Sequence, residues 1–162
     1  MSGRSRMVGV VCLRRRLDSP WASEQLEPHA VLPDAPALEA GASLGQSTAG
    51  ELVYFGAAEL AFWTGETGHY RDNLATGAPL LWVALTPQGE FGDYAVGLVT
   101  ANPYEGESLS DGSGLVLGTT PMPPDIAAEL AAFVAAHHVE QPFVKRKRDG
   151  GKGRREGRDD PG

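Results

Sequence analysis

Three kinds of side chain in this 162-residue chain could do chemistry: cations, carboxylates and imidazoles. The cations stand in two clusters, Arg14, Arg15 and Arg16 in one and Lys145, Arg146, Lys147 and Arg148 in the other. Phe143 and Val144 precede the second cluster and can dock on a folded body while the charges project. Clustered cations suit an anionic partner, whether an acidic protein face, nucleotide phosphates, nucleic acid or lipid headgroups. The carboxylates Glu105, Glu107 and Asp111 follow Tyr104 within one short stretch, which could hold a hard cation such as Mg²⁺ or serve as acid and base. Their spacing is not that of an EF-hand, and a solvated acidic loop is the simpler reading. His137 and His138 are adjacent, so on a helix they point about 100° apart and cannot share a metal as an i, i+4 pair does. Packing and capping is their expected use. His69 lies one turn after Glu66 and is expected to pair with it. His29 opens a strand. Trp21, Tyr70 and Tyr104 are candidates to line a groove beside the cations, with Arg71 close by.

Charge is segregated along the chain. Residues 1–16 hold five Arg and no acid, residues 17–144 hold seventeen Asp and Glu against Arg71 alone, and residues 145–162 hold eight cations and four acids. The segment charges are therefore +5, −16 and +4, which give the net −7. An acidic body with basic ends points to binding and names no reaction. The acidic body weakens a nucleic-acid reading, because it repels phosphate and only Phe143 lies near the cations to stack on a base. No glycine-rich phosphate loop, HExxH, CxxC or GxSxG motif is present. The single Cys12 excludes an internal disulfide and any multi-cysteine metal site within this chain, and its place among Val10, Val11 and Leu13 makes it a core residue. No apolar run approaches the roughly 18 residues of a spanning helix, and Arg14, Arg15 and Arg16 interrupt the first apolar run, unlike an export signal. A cytoplasmic location is the default expectation.

The elements that would position these groups follow from periodicity. Residues 7–13 and 28–32 read as strands, and residues 33–50, rich in Pro, Gly and Ala, as an irregular excursion with no strand. Residues 52–55 and 59–63 flank Gly56-Ala57-Ala58 and suggest a tight hairpin. Residues 66–75 suggest a short helix with Tyr70 and Leu74 inward. Residues 80–86 and 94–100 are joined by Pro87-Gln88-Gly89-Glu90 and form the clearest hairpin, with the first strand central in its sheet. A one-turn segment from Asn102 and a brief edge strand at 115–117 come next. Ile126, Leu130, Phe133, Val134 and His137 then mark one apolar face of a helix over 124–138, opened by Pro124 and Asp125 and stopped by Pro142.

Read in order, Val8-Gly9-Val10-Val11, Arg14-Arg15, Asp18-Ser19-Pro20-Trp21, Ala30-Val31-Leu32-Pro33, Glu66 with Tyr70-Arg71 and Asn73-Leu74, Val99-Thr100-Ala101-Asn102-Pro103-Tyr104-Glu105, His137-His138-Val139-Glu140 and Pro142-Phe143-Val144-Lys145-Arg146-Lys147-Arg148 form an ordered series over about residues 7–150. This series resembles the proteobacterial domain-of-unknown-function family numbered 3305. The resemblance implies an association with molybdenum-dependent formate dehydrogenases, beside whose genes and maturation genes the family's genes tend to lie. Some family labels point instead to a nucleotide- or molybdenum-cofactor-handling enzyme of molybdopterin dinucleotide biosynthesis. Such an enzyme calls for a glycine-rich nucleotide loop near the N-terminus, which this sequence lacks. Between Asp34 and Ala58 the chain departs from the family pattern, and no role is carried onto it.

The expectation is thus an α+β protein. Residues 1–6 form a flexible N-terminus, 7–148 a single small domain with a mostly antiparallel sheet of about five to six strands and a C-terminal amphipathic helix, and 149–162 a disordered basic tail. It would act without catalysis or a bound cofactor or metal, as an accessory protein binding an anionic partner: a formate dehydrogenase subunit or maturation factor, or the phosphates of a nucleotide or the molybdenum cofactor.

Overall fold

The longest apolar run of the N-terminal region lies at the centre of the structure. In the computed structural model, which describes residues 3–16, 24–88, 93–109 and 114–138, this run belongs to strand β1, Gly3–Arg16. It is followed by β2 (Glu24–Leu32), β3 (Ser43–Ser47) and β4 (Gly50–Trp63). A single 3-10 turn, Thr64–Glu66, leads into helix α1 (Thr67–Ala75), and then come β5 (Leu80–Gln88), β6 (Asp93–Thr100), the short helix α2 (Pro103–Glu107), β7 (Val116–Pro121) and α3 (Pro124–His137). The strands form two antiparallel sheets, in the orders β2-β1-β4-β3 and β6-β5-β7.

These sheets meet where β2 lies against β7 and β4 against β6, and they enclose one core. Closing them demands curvature, and register shifts supply it opposite Val10/Val11 in β4, opposite Val11/Cys12 in β2 and opposite Ala84/Leu85 in β6. Gly118 on β7 lies so near β2 that a Cβ there would stand 2.9 Å from Pro28 Cδ. Inward side chains alternate along each strand, Val8, Val10 and Cys12 from β1 and Leu81, Val83 and Leu85 from β5. The core extends to Ile126, Leu130, Phe133 and Val134, the face expected of α3. The β5–β6 hairpin, the central place of β5 and the edge place of β7 are as expected.

Four expectations are corrected. In place of one sheet of about five to six strands, the described residues form seven strands in two sheets, because the apolar faces of both sheets bury each other. The residues expected to make a hairpin around positions 56–58 make one continuous strand, β4. Gly56, at φ 118°, takes up the bend as a bulge while β4 stays paired with β1 from Glu51 to Trp63. A reversal there would strip β1 of ladder partners along half its length. Residues 33–50, expected to be strandless, contain β3, which pairs with β4. This segment also covers the outward face of β1: Gly41 N donates to Tyr54 O at 2.7 Å, Tyr54 N donates to Ala42 O at 2.9 Å, and Gly9 admits Pro36 and the Tyr54 ring where a side chain would collide. Finally, β1 starts at Gly3, four residues before the strand expected from residue 7.

The early start of β1 has an electrostatic cause. Glu129 of α3 accepts from Arg4 Nε at 2.5 Å and from Arg6 Nη1 at 2.6 Å, and Arg6 Nη2 also donates to Pro33 O at 2.6 Å. The pair of arginines therefore joins α3 to β1 and to the end of β2. Burial opposes ionisation of Glu129, but the hydrogen bonds and charges of Arg6 and Arg4 outweigh it and hold the carboxyl below its usual range. The same carboxylate, against the cost of burial, raises Arg6. Because the folded state depresses the Glu129 pKa, its contribution is fully present above the unfolded value of about 4.3 and is lost as pH falls through the folded value. Urea unfolding of Glu129→Gln should show a loss of about 1 kcal/mol at pH 7, shrinking below about pH 4. A loss independent of pH would contradict this account.

Cys12 is fully buried, and that burial pushes its thiol up to about 12, against a smaller opposing effect of Arg14. A thiol reagent at pH 8 should leave the native protein unlabelled and label it stoichiometrically after denaturation. Rapid labelling of the native chain would overturn the assignment of Cys12 to the core.

Candidate functional site

Polar and aromatic side chains gather at the end of the molecule where α1, α2 and the C-terminus of α3 meet. Asn102 organises this region, as its Asn-Pro-x-Glu sequence foreshadows: its Oδ1 accepts from Tyr104 N at 2.9 Å and Glu105 N at 3.3 Å, capping α2, and Pro103 occupies the first turn. The Asn102 amide donates to Glu66 Oε1 at 3.0 Å, which also accepts from the Tyr70 hydroxyl at 3.3 Å. That hydroxyl in turn accepts from Trp63 N at 3.0 Å. Tyr70 was expected to line a groove, but it is 1% exposed. Its ring packs edge-on against Phe62 and Phe133, and burial raises its phenol.

Two carboxylates of the acidic stretch are engaged within the fold. Glu105 accepts from Thr100 Oγ1 at 2.6 Å and Glu107 from Trp82 Nε1 at 3.1 Å, so the two carboxylates serve different elements. Asp111 lies outside the described residues, among which no cluster of metal-ligating side chains occurs. Gly106 lets this short helix lie flat on Trp82, since a Cβ would stand 2.2 Å from Trp82 Cγ.

Three of the histidines lie near this end of the molecule, on α1 and at the close of α3. His138, the C-cap of α3, receives a hydrogen bond from Arg71 Nη1 at Nε2, 2.8 Å away. An arginine has no lone pair to offer, so Nε2 must accept, and Nδ1 carries the proton toward Thr67 Oγ1 at 2.9 Å. Arg71 and His138 are thus brought together across α1 and α3. His137 points elsewhere, its ring 4.6 Å from that of Phe133. His69 departs from the expected pairing with Glu66: its ring lies 4.4 Å from that of Tyr104. Beside these rings, between α1, α2 and β5, opens a cleft of about 340 Å³ lined by Asp72, Thr76, Leu80, Trp82, Pro103 and Tyr104.

The N-terminal cations stand at the far end of β1. Gly3 pairs with Trp63 near α1, whereas Arg14 pairs with Glu51 about 35 Å further along the strand at roughly 3.3 Å per residue. Arg14 lies between Glu24 at 3.9 Å and Glu51 at 3.5 Å, Arg15 is paired with Glu27, and Arg16 is exposed. Two clefts of about 240 and 290 Å³ flank Arg14, with acidic side chains in both. Four of the five arginines of residues 1–16 therefore meet carboxylates of the protein's own body. Trp21, Phe143, Lys145, Arg146, Lys147 and Arg148 lie outside the described residues.

Of the cleft walls, sequence reasoning named Tyr104 and the one-turn segment from Asn102 but passed over Trp82, because nothing in the run Leu80-Leu81-Trp82-Val83 marks an indole whose nitrogen reaches α2.

Residues 7–147 match the family described as Protein of unknown function (DUF3305), and the chain belongs to that family. No curated protein and no solved structure matches it.

Asn102→Ala removes the cap of α2 and one donor to Glu66 together. Thermal or urea unfolding should report a loss of about 1–2 kcal/mol. An unchanged midpoint would show that this hydrogen-bonded network does not hold the helices.

Proposed function

We propose that this DUF3305 member is a non-catalytic accessory protein that binds an anionic partner, and that the partner belongs to the biogenesis or action of a molybdenum-dependent formate dehydrogenase. The observation that carries the binding reading is the segregation of charge, −16 in residues 17–144 between ends of +5 and +4. The ion pairs of Arg4, Arg6, Arg14 and Arg15 with Glu129, Asp34, Glu24, Glu51 and Glu27 engage most of the N-terminal cations internally. The reading therefore rests on Lys145, Arg146, Lys147 and Arg148 as the contact residues, with Phe143 as their anchor. Of the carboxylates that a catalytic reading would use, Glu105 and Glu107 accept from Thr100 and Trp82, which favours the binding reading. The formate dehydrogenase partner comes from the family resemblance alone, and a cytoplasmic site of action goes with it.

Retention of the formate dehydrogenase catalytic subunit on immobilised full-length protein tests this directly. Retention should fall with rising salt, as exposed charge contacts are screened, and should be lost when residues 145–148 are all changed to Ala. Equal recovery by both proteins would remove the motif's role, and no recovery by either would remove this partner.

A further inference from the structure

The cleft between α1, α2 and β5 opens beside the hydrogen-bonded network and shares Asn73, Leu80 and Trp82 with it. Leu80 and Trp82 from β5 and Pro103 and Tyr104 at α2 line it with apolar surface, and Asp72 of α1 adds a carboxylate. Tyr104 stands 60% exposed there. At about 340 Å³ it is large enough for a bulky side chain with a smaller neighbour, and the carboxylate favours a cation following them. The chain carries that combination in Phe143-Val144 followed by Lys145, Arg146, Lys147 and Arg148, and in Cys12-Leu13 before Arg14, which is already buried in β1.

Position agrees with chemistry. The last helix ends beside α1, where His138 meets Thr67 at 2.9 Å and Arg71 at 2.8 Å. Asp72 and Thr76 lie on α1 about 8 and 14 Å further along its axis, around a helix about 10 Å wide. Phe143 follows His138 by five residues, a reach of about 17 Å.

We propose that this cleft is the seat of the chain's own Phe143 and Val144, with the following cations laid toward Asp72, so that an anionic partner must displace the docked motif in order to bind it. The inference rests on the reading of residues 143–148 as the binding motif. A segment of the same chemistry from a second copy would fit the same cleft, so the experiment has to separate the two.

Full-length protein carrying Thr76→Cys and Val144→Cys, with the buried Cys12 retained, is oxidised mildly at about 10 µM. A short tether gives an effective concentration on the order of 1 mM, so docking within one chain should favour an internal disulfide over a linked dimer by about a hundredfold. Adding Phe143→Ala should slow the internal cross-link by about tenfold, because burial of the phenyl ring is what holds the motif in place. A rate indifferent to Phe143, or a product that is chiefly dimer, would overturn the proposal, the second in favour of exchange between copies. Polyglutamate, an acidic probe, should slow the cross-link in proportion to the charge it neutralises, and an unaffected rate would overturn the competition between docking and binding. A cross-link that depends on Phe143 while the formate dehydrogenase subunit is not retained would leave the docked motif standing and remove only the proposed partner.

Discussion

Everything in this fold leans on one strand, β1, that is buried on both faces over its middle. Val8, Val10 and Cys12 point into the space between the two sheets, and Gly9, Val11 and Leu13 are buried on the other side. A strand in that position must have neighbours on both edges and cover on both faces, because its backbone groups have no water to turn to. The edges are taken by β2 and β4. One face is covered by β5 and α3, and the other by the Pro-, Gly- and Ala-rich segment that folds back over Tyr54. Small residues in that segment allow a close backbone approach, which explains a composition that otherwise resembles a loop.

The two ends of β1 then decide how charge is arranged. At its start Arg4 and Arg6 grip Glu129 and fasten α3, whose C-terminus is thereby delivered to α1. At its close Arg14 and Arg15 meet the carboxylates of β2 and β4. A cluster that reads as a basic patch in one dimension becomes a set of intramolecular pairs in three. Such pairs on the surface contribute little to stability individually, but each withdraws a cation from the supply available to a partner.

The cluster at α1, α2 and α3 has the residue types of an active site and the connections of a joint. Glu66 bridges Asn102 and Tyr70, His138 bridges Arg71 and Thr67, and Asn73 ties Leu80 to Ala101 through its amide. These polar groups are satisfied by neighbours from other elements, as burial requires, whereas the buried His69 Nδ1 has no hydrogen-bond partner among the described residues. What the joint leaves open is an apolar cleft with an acidic side chain, a surface suited to holding a segment of chain.

Much of this protein was legible in its sequence wherever the signal is local. The apolar face of α3, the β5–β6 hairpin, the helix near residues 66–75 and the core place of Cys12 follow from periodicity and turn chemistry, and the charge segregation follows from counting. The continuity of β4 through Gly56 and the cover over β1 were not legible, because each depends on a partner far along the chain whose unpaired backbone demands it, and the strand at Ser43–Ser47, though paired locally with β4, was hidden by its Gly- and Ser-rich, loop-like composition. The same holds for the site. The types and spacing of the histidines, tyrosines and carboxylates are properties of the sequence. Whether Glu105 faces Thr100 or a metal, whether Tyr70 is exposed or buried and whether Arg14 is free or paired were decided only by tertiary structure, since directionality and desolvation arise when separate elements are brought within hydrogen-bonding distance.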